Sequence, residues 1–144
     1  MKPYVIDASV AVKWVVEETG TVEALSLRQQ ARLIAPELLV AECANVLWKK
    51  VRRNELSKDE ALLAAGLLQH ADIELLPTRS LLSVATSIAI ELDHPAYDCV
   101  YIALAVAKDC SFVTADEHFL RKLSHGRRAT FRGRALSLAE AVAR

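Results

Sequence analysis

Tyr4-Val5-Ile6-Asp7-Ala8-Ser9-Val10-Ala11-Val12-Lys13-Trp14-Val15-Val16 is the stretch that decides the fold class. The β-prone run Tyr4-Val5-Ile6 stops at the polar Asp7-Ala8-Ser9, and Val10, Ala11, Trp14 and Val15 then recur at helical spacing, so the segment reads as strand, tight turn and helix. The same alternation of strand and helix returns along the chain. The spacing predicts a helix over 21–31, a short strand over 33–35 and a helix over 37–53 whose last turn carries Lys49, Lys50, Arg52 and Arg53, where cations complement the macrodipole. Ser57 with Glu60 three residues on is a capping box opening a helix to about His70. Strand 73–76 and helix 80–92 follow. After Pro95 come helix 96–108, strand 110–114, a short helix through Leu123, a last strand around Thr130 and Phe131, and a terminal helix from Ser137. Short strands alternating with helices imply parallel pairing through right-handed crossovers. The expected fold is a three-layer α/β/α sandwich with a short-stranded, mainly parallel central sheet. Short connections and the absence of repeats point to one domain over 1–144.

Composition narrows the function. Of 144 residues, 53% are hydrophobic and 25% charged, with 18 bases against 18 acids, so disorder and fibrous repeats are excluded. The apolar stretch 4–16 is broken by Asp7 and Lys13 and is too short to span a bilayer or to act as a signal peptide; a cytoplasmic protein with no membrane partner is expected. Cys43, Cys99 and Cys110 lie in apolar surroundings without C-x-x-C spacing and read as small buried hydrophobes of a reducing compartment. Four scattered glycines leave no room for a dinucleotide-binding or Walker loop.

In parallel sheets, ligands collect beyond the carboxyl ends of the strands. Asp7 directly follows the first strand, and Asp116 follows Phe112-Val113-Thr114 by two residues, with Glu117 beside it. Either acid alone is equally an ordinary turn or N-cap residue. Glu42 interrupts an apolar helical run and is expected to be partly buried, with Asn45 three residues on along the same face. Asp98 opens the apolar helix Cys99-Val100-Tyr101-Ile102-Ala103, a first-turn position that suits dipole compensation and ligand binding alike.

Four converging carboxylates would repel by roughly 4 kcal/mol per pair at ~4 Å and an effective dielectric near ~20, and a cation resolves this. All-oxygen ligation selects Mg²⁺ or Mn²⁺. Such a site suits phosphodiester hydrolysis.

With Val5-Ile6-Asp7-Ala8-Ser9, Pro36-Glu37-Leu38-Leu39-Val40-Ala41-Glu42 with Asn45, Ala96-Tyr97-Asp98-Cys99-Val100-Tyr101-Ile102-Ala103-Leu104-Ala105, and Phe112-Val113-Thr114-Ala115-Asp116 in this order, the chain resembles the PIN-domain nucleases, and within them the VapC-type toxins of toxin–antitoxin pairs. The resemblance implies that Asp7, Glu42, Asp98 and Asp116 are the catalytic, metal-binding acids for one or two Mg²⁺ or Mn²⁺ ions, with Glu117 an alternative for the fourth place. It implies supporting roles for Ser9, Asn45 and Thr114, endonucleolytic cleavage of RNA through a metal-activated water, a cognate antitoxin and a homodimer. The alternative within the same fold is an RNA-processing or RNA-binding module without a toxin role. A haloacid-dehalogenase-like phosphatase is disfavoured because Asp7-Ala8-Ser9 lacks a second Asp two residues after the first. A phosphoacceptor receiver is disfavoured for want of an acidic doublet after the first strand.

The bases are gathered rather than spread. Lys49, Lys50, Arg52 and Arg53 form one group; Arg121, Lys122, Arg127, Arg128, Arg132 and Arg134 put six of 18 bases into 14 positions without an acid. These runs read either as solvated faces or as a basic margin for an RNA backbone, with Lys49, Arg52, Arg53, Arg121, Arg127 and Arg128 as the candidate contacts. The four histidines lack ligand spacing and read as surface or helix-end residues.

Overall fold

The computed structural model describes residues 2–124, 131 and 133–144. Strand β1 (Tyr4–Ile6) leads into α1 (Ala8–Ala11) and a 3-10 turn at Val12–Trp14; α2 (Thr21–Gln30), β2 (Leu33–Pro36), α3 (Leu38–Arg52), α4 (Lys58–Gln69) and β3 (Glu74–Leu76) follow. A 3-10 turn at Arg79–Leu81 starts α5 (Leu82–Leu92), and α6 (Ala96–Ala107), β4 (Ser111–Val113), α7 (Glu117–Ser124), β5 (Ala135–Leu136) and α8 (Leu138–Ala143) complete the order. Both Ser57 before α4 and Ser137 before α8 close full capping boxes, with Glu60 and Glu140 respectively. The expected last strand around Thr130 and Phe131 is not where the fifth strand forms. Thr130 lies outside the described residues, and Phe131 is a buried turn residue whose carbonyl accepts from the Arg134 N–H. The two-residue β5 is defined by its pairing to β4, Phe112 against Ala135 and Val113 against Leu136, and Ala-Leu carries no β-propensity that would announce it.

Among the described residues all strand pairings are parallel, in the order β3-β2-β1-β4-β5. Consecutive strand residues point to opposite faces, yet Val5 with Ile6, Ile34 with Ala35 and Phe112 with Val113 are all buried, so helices cover both faces and the three-layer α/β/α sandwich is established. Helix α6, apolar almost all round, lies against β1, β2 and β4 and packs α5 outside it. Tyr101 stacks on Phe112 at 5.7 Å between ring centres, and Phe112 meets Phe119 edge-on at 6.2 Å, tying α6, β4 and α7 together. Cys43, Cys99 and Cys110 are free and buried. Among the described residues no helix is long and apolar enough to cross a membrane.

Strand order reverses between β1 and β4: the chain runs outward from β1 through β2 to β3, then crosses back to lay β4 on the other side of β1. In a parallel sheet the helices flanking such a switch diverge and leave a crevice beyond the strand ends. The register Tyr4 to Ser111, Val5 to Phe112 and Ile6 to Val113 brings Asp7 and Thr114 to that crevice as the next residues.

Candidate active site

Asp7 ends β1 and N-caps α1, its Oδ1 accepting from the Val10 N–H at 3.3 Å. Two hydroxyls hold the same carboxylate: Ser9 Oγ donates to Oδ1 at 2.5 Å and Thr114 Oγ1 donates to Oδ2 at 2.5 Å. Each hydroxyl also accepts from the turn after β4, Ser9 from the Ala115 N–H at 2.9 Å and Thr114 from the Asp116 N–H at 3.1 Å. Asp116 in turn caps α7, taking the Phe119 N–H at 3.1 Å. The ordinary capping reading of both acids therefore holds together with their place at the crevice.

Asp7, Glu42, Asp98 and Asp116 line one open cleft of about 370 Å³, with Ser9 beside them. Burial drives the Asp7 carboxyl up to about 6, against the lowering by Ser9 and Thr114, and the negative Asp98 and Glu42 add to the rise. Burial likewise raises Glu42; the adjoining Tyr101 hydroxyl partly offsets this and Asp98 adds to it. Among the described residues, neither Glu42 Oε1 nor Tyr101 Oη, both buried, has a hydrogen-bond partner. The donor set is all oxygen, mutually repulsive and incompletely partnered, which fits a hard divalent cation. Among the described residues no three acidic, histidine or cysteine side chains close into a metal cage by themselves.

The other residues singled out in the sequence fall elsewhere. Asn45 is exposed and does not line the cleft. At about 100° per residue it sits some 60° beyond Glu42 on the side away from the buried Leu39, Cys43 and Leu47, whereas Val46 and Lys50 turn inward and line the cleft. Glu117 is exposed and outside the lining, so Asp116 is the acid of that pair that faces the cleft. Lys49, Arg52, Arg53 and Arg121 are exposed and also outside it; Arg52 lies over the Trp48 ring at 5.4 Å. Arg127 and Arg128 lie outside the described residues. Trp14 is core, its Nε1–H donating to the Ala24 carbonyl at 3.0 Å, whereas Trp48 is exposed.

The sequence reading does not place His94, Lys13 or Glu18 at the site, and it takes Lys50 only as part of the basic run 49–53. The His94 side chain is largely covered rather than free on the surface: Nε2 is 2.6 Å from Asp98 Oδ2, its ring packs on Phe119 at 4.7 Å, and Lys122 Nζ approaches Nδ1 at 3.3 Å. A lysine ammonium only donates, so Nδ1 accepts, the ring proton sits on Nε2 and is donated to Asp98. The i, i+4 spacing of His94 and Asp98 was the available signal, masked because His94 precedes the helix and Pro95 separates them. Lys13, Glu18 and Lys50 line the cleft as an ion-paired group, and no local pattern links them, since they meet only in the fold.

Comparison with known proteins places these observations in a family. Residues 4–123 match the PIN domain model. Ribonuclease VapC3 of Pyrobaculum aerophilum is 29% identical over 124 residues, 82% of this chain and 92% of that protein. The crystal structure of PAE2754 from Pyrobaculum aerophilum superposes with a TM-score of 0.73 at 19% identity, covering 99% of this chain and 88% of that one. The matched span runs from β1 through Leu123 and so contains all four cleft acids: this chain belongs to the PIN domain family.

Proposed function

We propose that this chain is a Mg²⁺- or Mn²⁺-dependent endoribonuclease that hydrolyses RNA phosphodiester bonds, and that it is the toxin of a VapBC-type pair. The observation that carries the reading is the meeting of Asp7, Glu42, Asp98 and Asp116, from four separate segments, in one cleft at the reversal of strand order. The family membership and the similarity to a protein named Ribonuclease VapC3 support it. A divalent cation held by these acids would supply Lewis-acid activation of water and charge neutralisation at the phosphate. The chain's own residues do the rest. Ser9 and Thr114 fix the orientation of Asp7, His94 fixes Asp98, and Asp116 is set by its own helix cap. A cognate antitoxin, a homodimer, a cytoplasmic location and a single domain over 1–144 belong to the same reading. The three free, buried cysteines suit a reducing compartment.

The test uses purified protein and a labelled single-stranded RNA. Cleavage should require Mg²⁺ or Mn²⁺, stop in EDTA and fall at least ~100-fold in Asp98→Asn. Undiminished cleavage in EDTA or in that variant overturns the reading. For the toxin role, expression should arrest growth and Asp98→Asn should relieve the arrest; RNA cleavage without any growth effect would replace the toxin reading by RNA processing. Sedimentation of the purified chain reports whether it is a dimer.

A further inference from the structure

We propose that Lys13 and Lys50 form a phosphate-binding subsite for the RNA backbone, and that Glu18 occupies this subsite when RNA is absent. The inference rests on the ribonuclease reading for its ligand, but on different residues. Glu18 Oε1 takes Lys13 Nζ at 3.1 Å and Oε2 takes Lys50 Nζ at 2.7 Å, so one carboxylate bridges two ammonium groups. The lysine side chains are only 12% and 15% exposed; their stems are packed and the charged ends are aimed rather than floating in solvent. Lys50 also has Glu55 at 3.6 Å, but that acid is half exposed and weakly held.

The carboxylate itself is delivered by a built turn. The Glu18 N–H donates to Thr21 Oγ1 at 2.9 Å, that hydroxyl donates to the Val16 carbonyl at 3.3 Å, and the Glu18 carbonyl accepts the Thr21 N–H. Gly20 completes the turn at φ +91°, and a Cβ there would stand 3.3 Å from Lys13 Cδ and Cε. The turn thus admits the lysine stem that reaches the cleft.

Charge balance gives this group its use. The cleft lining carries five acids, Asp7, Glu18, Glu42, Asp98 and Asp116, against two cations, Lys13 and Lys50. A divalent cation on the four acids would serve the scissile phosphate, and a neighbouring backbone phosphate in this acidic cleft needs a cation of its own. Among the described residues, the cationic side chains lining the cleft are these two, while the exposed Lys49, Arg52 and Arg53 lie outside its lining. A carboxylate gripped through both oxygens by two ammonium groups is the shape and charge of a phosphate's two non-bridging oxygens. Backbone phosphate next to the scissile bond would displace Glu18 and take both lysines.

The decisive experiment measures binding of a labelled single-stranded RNA in EDTA, where no turnover occurs, over a range of salt. Lys13→Met and Lys50→Met should each weaken binding roughly 3- to 10-fold near ~0.1 M salt and lower the slope of log K against log salt by about 0.7. Glu18→Gln should bind RNA several-fold more tightly, because the internal competitor is neutralised. A merely structural ion pair would lower the melting temperature of Glu18→Gln without tightening binding. Lys50→Gln, which keeps a polar end, stands in if Lys50→Met does not fold. Lysine variants with wild-type affinity and slope, no gain in Glu18→Gln, or no RNA binding by the wild type each overturn the subsite. Lysine-dependent binding by a protein that never cleaves RNA in Mg²⁺ or Mn²⁺ would overturn the nuclease reading and leave the subsite standing.

Discussion

Thr114 Oγ1 lies 2.5 Å from Asp7 Oδ2 across a sequence separation of 107 residues, and the same hydroxyl accepts the Asp116 N–H at 3.1 Å. One buried side chain therefore ties the turn after β1 to the turn after β4 and orients acids on both. Thr114→Val removes the donor to Asp7 and the acceptor for Asp116 while keeping the shape. It should cost about 1–3 kcal/mol of stability and reduce RNA cleavage about 10- to 100-fold. Thr114→Ser should recover most of both. A Thr114→Val protein that cleaves at the wild-type rate would refute the orienting role.

Asp7 links the site to stability through pH. Its carboxyl is raised from 3.8 to about 6 in the folded chain, chiefly by burial, so the folded state favours the protonated form. The stabilising contribution is complete below the unfolded value and is lost as pH rises through the folded one. In EDTA, the wild type should lose roughly 3 kcal/mol relative to Asp7→Asn between about pH 4 and pH 8. Asp7→Asn should thus melt higher than the wild type at pH 8 while being inactive. Saturating Mg²⁺ should narrow the gap by stabilising only the wild type. Parallel melting-temperature profiles for the two proteins would show that Asp7 is not the group responsible.

His94 reaches Asp98 from outside the cleft, with 7% of its side chain exposed and a Lys122 contact that sets its tautomer. Asp98 is the more accessible member of this pair and is the one that lines the cleft. In His94→Ala, kcat should fall about 10-fold or more with KM for RNA nearly unchanged, because Asp98 loses its orientation while the RNA surface is intact. His94→Gln, which restores a donor, should regain part of the rate. A rise in KM with kcat unaltered would assign His94 to binding instead.

The cysteines yield the simplest prediction. Burial pushes the Cys43 thiol up to about 12, with Glu42 and Asp7 adding to it; burial pushes Cys99 up to about 11 and raises Cys110 as well. Thiolate, the reactive form, is nearly absent at pH 8. A disulfide-exchange reagent should titrate no thiol rapidly in the native protein and three after denaturation. One fast native thiol would contradict the packing around that residue.

Much of this architecture is legible in the amino-acid sequence. Strand β1 announces itself by Tyr4-Val5-Ile6 ending at Asp7, α4 by Ser57 and Glu60, and α6 by an apolar run restarted at Pro95, because capping and hydrophobic periodicity are local properties. β5 was not legible. A two-residue strand is held by the neighbour it pairs with, and Ala135-Leu136 has no preference of its own. Asn45 illustrates a finer limit: three residues from Glu42 was near enough to suggest one face, but the burial of Cys43 and Leu47 rotates that face the other way.

The site divides along the same line. The four acids stand out in the sequence as candidates, since each follows a strand, interrupts an apolar run or opens an apolar helix, and such positions are visible one at a time. Only the tertiary structure decided that they share a cleft, because the reversal of strand order between β1 and β4 is a property of the whole sheet. It alone also supplied what surrounds them: the Thr114 hydroxyl on Asp7, His94 behind Asp98, and Glu18 between Lys13 and Lys50. Hydrogen bonds and ion pairs act over about 3–4 Å, and chain separation places no bound on which residues the fold brings within that range.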